Sequence, residues 1–130
     1  MILLDTQVLI WLALAPERIS PAAAAAIQQA VSRGNVPLIS AVSLYEIANA
    51  IRRGRIQPAI PIRAFLDRLK SRFTVISVSE TIAVRAGELP EPFNGDPMDR
   101  MIAATAIMEK CTLITADSKI RAANVCKVLW

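Results

Sequence analysis

The side chains in this chain that could do chemistry are its acids. Of five aspartates and six glutamates, Asp5, Glu46, Asp99 and Asp117 each fall where an apolar strand segment gives way to a helix or where a helix begins. A parallel α/β sheet gathers such positions along one edge, outside the carboxyl ends of its strands, where ligands of open α/β folds bind. Carboxylates drawn together there make a strong divalent-cation site. Histidine is absent, which excludes Ser-His-Asp and Cys-His nucleophilic catalysis and His-ligated zinc. Cys111 and Cys126 stand in apolar contexts and form no CxxC pair, so both read as small buried hydrophobes. Catalysis is left to carboxylates, hydroxyls and cations.

Each acid also has an ordinary explanation. Ser43-Leu44-Tyr45-Glu46 reads as a capping box, with Glu46 reaching back to the N-cap amide. Asp96 and Asp99 take the N-cap and N3 places of a helix opened by Pro97, where the helix dipole alone favours negative charge. Asp117 can cap the helix after the fourth strand, and Asp5 can end the first strand in an Asx-turn. Four independent caps nevertheless have no reason to fall at strand exits along one edge, so jointly they favour a site. Carboxylates within ~5 Å of each other repel by roughly 3 kcal/mol per pair at an effective dielectric of about 20, more than the roughly 0.3–1 kcal/mol that a helix N-terminus returns. A cation makes such a cluster tolerable. An all-oxygen donor set selects Mg²⁺ or Mn²⁺ over zinc, and Mg²⁺ commonly holds phosphate oxygens as well, so the substrate class suggested is a phosphodiester.

The elements that must position these acids can be read from the apolar runs and their punctuation. Ile2-Leu3-Leu4 predicts a first strand and Thr6 to Leu14 a helix; Ser20-Pro21 reads as N-cap and first position of an alanine-rich helix to about Arg33, ended by Gly34-Asn35. Val36–Ser40 predicts a second strand, Ser43–Arg53 a helix closed by Gly54, and Pro61 opens another to about Arg72. Phe73–Val78 reads as a third strand and Ser79–Glu88 as a helix capped by Ser79. Pro90, Pro92, Asn94 and Gly95 make the one loop long enough to shape a site. Asp96-Pro97 then starts a helix reaching about Lys110, Cys111–Thr115 a fourth strand, Asp117-Ser118 a short helix, and Lys127–Trp130 a last strand. Strands alternating with helices imply βαβ units and a mostly parallel α/β sheet. At 130 residues the chain fits a single domain.

Net charge is +4 and the isoelectric point about 9.6, which suits a polyanionic partner. Arg52, Arg53 and Arg55 form the densest basic cluster, and Arg100 stands beside Asp99; a solvated helix face and an RNA backbone track both account for such cations. Trp11, Tyr45 and Phe65 fall at apolar helical positions and read as core or interface before base-stacking platforms. The first helix, with Val8, Leu9, Trp11, Leu12 and Leu14, is expected to be buried. The 54% apolar content exceeds the usual share of soluble domains and leaves surface for a partner or a second copy. The longest uncharged stretch, Ile19–Ser32, is too short and too polar for a membrane span, and Asp5 follows the start too closely for a signal peptide, so a cytoplasmic protein without membrane attachment is expected.

Taken in order, Asp5-Thr6 after the first strand, Ser40 with Glu46 on the third helix, Asp96-Pro97-Met98-Asp99-Arg100 opening a long helix, and Leu113-Ile114-Thr115-Ala116-Asp117 closing the fourth strand resemble PIN-domain ribonucleases. The whole chain, Met1 to Trp130, resembles a VapC-type toxin of a toxin–antitoxin pair. The resemblance implies a PIN-like three-layer α/β/α sandwich over residues 1–130, with a five-stranded mostly parallel sheet of order 3-2-1-4-5. It implies a catalytic, metal-holding quartet of Asp5, Glu46, Asp99 and Asp117, with Asp5 and Asp99 touching the metal most directly. Thr115, Thr6, Ser40 and Asp96 would support it, Asp96 as a helix cap or as an outer ligand. The cofactor implied is Mg²⁺, with Mn²⁺ as a substitute, and the activity is endonucleolytic hydrolysis of RNA by a metal-activated water, leaving 5′-phosphate and 3′-hydroxyl ends. The partners implied are a small antitoxin protein and a second copy in a homodimer. Similar chains often carry histidine at the position of Gln7 and just before the Asp-Pro pair, where this chain has Asn94-Gly95. Those departures bear on substrate contacts more than on metal binding. A non-catalytic PIN-like RNA-binding or interaction module is the alternative, and retention of all four acids speaks against it. A receiver-type signalling domain would need an acid after the third strand, where Ser77-Val78-Ser79 stands.

Overall fold

The computed structural model describes every residue except Pro92 and Asn94, so those two members of the expected site-shaping loop, and the Asn94 departure, lie outside the described residues. The apolar runs become β1 (Ile2–Leu4), β2 (Leu38–Ser40), β3 (Thr74–Ile76), β4 (Thr112–Ile114) and β5 (Val128–Leu129). They form one sheet of order β3-β2-β1-β4-β5, the order implied by the resemblance, and each neighbouring pair is parallel. The later strands are shorter than their sequence runs. Ser40 ends β2 and also caps the following helix, and Thr115, just past β4, gives its hydroxyl to Asp5.

Helices fill the connections: α1 (Thr6–Leu14), α2 (Pro21–Ser32), α3 (Ala41–Arg52), α4 (Ile62–Arg72), α5 (Glu80–Glu88), α6 (Pro97–Met108) and α7 (Ser118–Ala123), with a 3-10 turn at Pro16–Arg18. Alternation along the strands divides the core in two. Leu3, Leu38 and Leu113, in register across the three inner strands, face Ile102, Ala103 and Ala106 of α6 and Ile120 of α7. Leu4, Ile39 and Ile114 face the other way, against Val8 and Leu9 of α1, Ala23 of α2, Ile47 of α3, and Phe65 and Leu69 of α4. Strands covered on both sides read as continuous apolar runs, which is why β1 and β4 show no polar alternation.

Local signals explain most helix ends. Ser20 and Ser79 accept from Ala23 N and Ile82 N as expected caps. Gly34 and Gly54 adopt φ of 75° and 71°, and the pairs Asn35 N to Ala30 O and Arg55 N to Ala50 O close α2 and α3 in the left-handed manner glycine favours. The capping box expected at Ser43 does not form. Ser40 leaves β2 with an extended backbone and accepts from Val42 N at 3.3 Å, so α3 starts earlier and both Ser43 and Glu46 lie inside it. Burial of α1 is incomplete: Val8 and Leu9 are enclosed, Trp11 packs at 5.6 Å on Trp130 beneath Arg18, and Leu14 is exposed.

Arg100, expected as an RNA contact, is engaged by the protein's own backbone. Its Nε donates to Ala86 O (3.0 Å) and its Nη2 to Leu89 O (2.6 Å) and Gly87 O (3.4 Å), tying α6 to carbonyls at the end of α5 that have no onward helical partner. The Phe93 ring lies 5.7 Å from the same guanidinium. Removing a charged donor from such acceptors costs about 2 kcal/mol. Arg100→Ala should therefore lower the unfolding free energy by about 2 kcal/mol, read as a lower denaturant midpoint at unchanged slope, with little recovery in Arg100→Lys, because an ammonium cannot reproduce the planar fork. An Arg100→Ala protein unfolding at the parent midpoint would show that this clamp is not structural.

Candidate active site

Asp5 emerges from β1 with its backbone already fixed, since its N–H donates to Ile114 O at 3.0 Å. It is the N-cap of α1, and its Oδ1 accepts from Thr6 N at 2.8 Å. Because β1 and β4 are neighbours with Leu4 opposite Ile114, the exits of both strands meet. The Thr115 hydroxyl, fully buried, donates to Asp5 Oδ2 at 2.7 Å and accepts from Asp117 N at 3.1 Å. Asp5 is only 6% exposed. Burial pushes its carboxyl above the ordinary range, the hydrogen bonds from Thr115 and Thr6 pull the other way, and the charge of Asp117 adds to the rise.

Glu46 approaches from α3. Its Oε1 lies 2.6 Å from Thr6 Oγ1, which is also 2.9 Å from Ser43 Oγ. A single Thr6 proton serves one acceptor, and the carboxylate is the stronger one. Burial again raises the carboxyl, opposed by Thr6, and the nearby charges of Asp5 and Asp96 raise it further. Asp96 caps α6 through Oδ1, accepting from Met98 N and Asp99 N, and Asp99 stands in the first turn of that helix. Asp117 caps α7 in the same manner, its Oδ1 accepting from Lys119 N (2.8 Å) and Ile120 N (3.0 Å).

Asp5, Thr6, Glu46, Asp96, Asp99 and Asp117 all line one cleft of about 540 Å³, together with Gln7, Tyr45, Asn49 and Arg55. A recess of about 360 Å³ adjoins it, bounded by Gly95, Asp96, Asp99, Asp117, Ser118 and Lys119. The expected quartet is thus brought together. Thr115 supports it from below the cleft surface. Ser40 does not reach it, and acts only through the helix that carries Glu46. Of the basic candidates Arg55 faces the cleft, Arg52 and Arg53 are exposed beyond it, and Arg100 is committed elsewhere. Ser43 was not anticipated. The Ser43–Glu46 spacing that suggested a capping box is also the spacing that puts both on one helix face. Tyr45 and Asn49 were likewise missed as cleft residues, since Tyr45 looks like core by pattern.

The donor set is oxygen alone, with a buried carboxylate at its centre, and suits a hard cation. Among the described residues no three of these acids stand close enough to form a ready-made shell; hydroxyls and helix amides hold them instead.

Residues 2–125 match the PIN domain. The chain belongs to the PIN-domain family. Ribonuclease VapC22 of Mycobacterium tuberculosis is 36% identical to it over 120 residues, covering 92% of this chain and 89% of that protein. VapBC2 from Rickettsia felis, solved bound to a DNA fragment from its promoter, shares the PIN fold with a TM-score of 0.74 at 22% identity over 99% of this chain and 98% of that one. A toxin–antitoxin complex from Klebsiella pneumoniae superposes at 0.71 with 23% identity, covering 100% and 97%. Among the described residues of this PIN domain no helix is long and apolar enough to cross a membrane.

A carboxyl whose folded pKa lies above its unfolded one binds protons more tightly in the native state, so its contribution to stability falls as pH rises from the ordinary carboxylate range through the raised value. In EDTA the parent protein should lose stability over that interval. Asp5→Asn should flatten the slope and melt higher than the parent at neutral pH, and added Mg²⁺ should raise the parent melting temperature more than that of the variant. Thermal melts of both proteins across pH, with and without metal, decide this; a variant melting lower at neutral pH and responding equally to Mg²⁺ counts against a crowded carboxylate site.

Proposed function

We propose that this PIN domain is a divalent-metal-dependent endoribonuclease, the toxin of a toxin–antitoxin pair, acting as a single domain over residues 1–130. The observation that carries the reading is the convergence of Asp5, Glu46, Asp99 and Asp117, with Asp96, on one open cleft around a carboxylate whose burial disfavours its charge. A protein that needed only helix caps would not bury Asp5 among other acids. The 36% identity to Ribonuclease VapC22 supports RNA as the substrate, and the fold shared with VapBC and other toxin–antitoxin complexes supports a small antitoxin as partner. Exposed Leu14 on α1 and Val31 on α2 fit a second copy of the chain.

In this reading Asp5, Asp99, Asp117 and Glu46 hold Mg²⁺, for which Mn²⁺ can substitute. A bound divalent cation supplies Lewis acidity: it lowers the pKa of a water and neutralises charge on the phosphate. The protein's own groups do the positioning. Thr115 keeps Asp5 turned toward the cleft and its pKa lower than burial alone would leave it. Thr6 does the same for Glu46. Asp117 gives Oδ1 to α7 while lining the cleft, so its position is fixed by the helix start it caps.

Purified protein should cut RNA in Mg²⁺ or Mn²⁺, stop in EDTA and leave 5′-phosphate ends. Asp5→Asn and Asp99→Asn should each slow cleavage by a factor on the order of a hundred or more, since cation stabilisation of the reacting phosphate represents several kcal/mol, while circular dichroism stays that of the parent. Growth arrest on expression should be relieved by co-expression of the antitoxin. Undiminished cutting by either variant or in chelator would overturn the assignment.

Thr115→Val provides a separate check on positioning. Without its hydroxyl the Asp5 carboxyl loses an interaction that holds its pKa down, so the acid limb of the pH–rate profile should move to higher pH. A profile that falls in amplitude without shifting would assign Thr115 a packing role alone.

A further inference from the structure

Beyond the acids, the cleft continues along α3 and the turn that follows it, and Tyr45, Asn49 and Arg55 line that wall. Tyr45 is 59% exposed on a helix whose Val42 and Ile47 are buried, so the fold spends none of its core on this ring. Asn49 lies one turn further along the same face. Arg52 Nη2 donates to Asn49 Oδ1 at 2.7 Å, which occupies the amide's acceptor and leaves its NH₂ group to be a donor. The backbone of Arg55 is pinned by its bond to Ala50 O and by the left-handed Gly54. Its guanidinium shares a cleft with five carboxylates yet makes no ion pair with them among the described residues; the pair that does form is Lys70–Asp67, at 3.0 Å. A cation held short of nearby acids, an exposed ring and an outward amide donor form a surface for an anion that carries a flat, stackable group.

We propose that this wall binds the RNA flanking the scissile phosphate, with one unpaired base stacked on Tyr45 and a neighbouring backbone phosphate held by Arg55, which makes these two side chains the residues that engage the strand beside the bond. The proposal rests on the ribonuclease reading above. Bases in an A-form duplex are stacked inward and offer no face to a side chain, whereas splayed single-stranded bases stack on aromatic rings. Such stacking tolerates any base, so the wall selects strandedness rather than sequence.

The test uses the full chain in Mg²⁺ and a short fluorescent single-stranded RNA of mixed sequence, read by anisotropy in the Asp99→Asn background and by steady-state cleavage in the parent background. Tyr45→Ala should weaken binding roughly ten- to a hundred-fold and raise KM with little change in kcat, and Tyr45→Phe, which keeps the ring, should restore both. Arg55→Ala should reduce the slope of log affinity against log salt by about 0.7, the share of one phosphate contact on a single strand. The same sequence closed into a hairpin stem should be cut far more slowly by the parent. Both side chains are exposed, so the variants should keep the parent melting temperature. Variants that bind and cut like the parent, or a stem cut as fast as the open strand, would overturn the inference and leave the ribonuclease reading intact. A parent protein that neither binds nor cuts RNA would overturn both.

Discussion

The Thr115 hydroxyl bound to Asp5 Oδ2 at 2.7 Å joins the exits of the two central strands, and the geometry of the cleft follows from it. Among the described residues Asp5 is the one buried acid. Removing a carboxylate from water disfavours its charge unless hydrogen bonds or a cation compensate. Thr6 N and Thr115 supply the hydrogen bonds, and burial still leaves the Asp5 carboxyl above its ordinary range. The fold thus compensates the carboxylate only partly, and in the proposed metal-dependent reading a bound cation would supply the rest.

The sequence presents each acid with two explanations, a helix cap or a ligand, and the structure makes them compatible. Asp117 takes both amide protons of the α7 start on Oδ1. A carboxylate has a second oxygen with its own lone pairs, so capping orients the group without exhausting it. Helix N-termini at strand exits also carry partial positive charge, which makes them suitable places to concentrate acids. Caps and cleft therefore coincide: the local need of α1, α6 and α7 for an N-cap acceptor is met by residues that line the same cleft.

This explains how far the chain could be read without coordinates. Asp5, Asp96, Asp99 and Asp117 were legible because each belongs to a local element boundary, and local boundaries are marked by strong signals such as Pro97 and the apolar run ending at Ile114. Glu46 was legible as a residue but not in its local role, because the earlier start at Ser40 depends on the backbone direction in which β2 ends. The contact of Ser43 and the clamp made by Arg100 are not legible for one reason: their partners are distant in sequence. Ser43 meets Thr6, and Arg100 meets carbonyls at Ala86, Gly87 and Leu89. Hydrophobic pattern cannot tell an aromatic ring at the rim of a cleft from one in the core, so the exposure of Tyr45 emerges only when α3 is docked.

Net charge and local charge oppose each other here, and the opposition has a mechanistic consequence. The chain carries +4 overall, yet the cleft gathers five carboxylates against the single cation of Arg55. A polyanion is drawn to the molecule as a whole and repelled from its acidic centre. Entry of a phosphate is favourable once positive charge sits among the acids, so in the proposed reading occupancy by a metal would govern substrate binding as well as chemistry. The same deficit would be met by a basic side chain from a partner protein, which would compete with metal for the acids and with RNA for the cleft. In that reading a cleft with one cation against five carboxylates would be switched by whichever cation arrives, a metal ion turning it on and a protein cation turning it off.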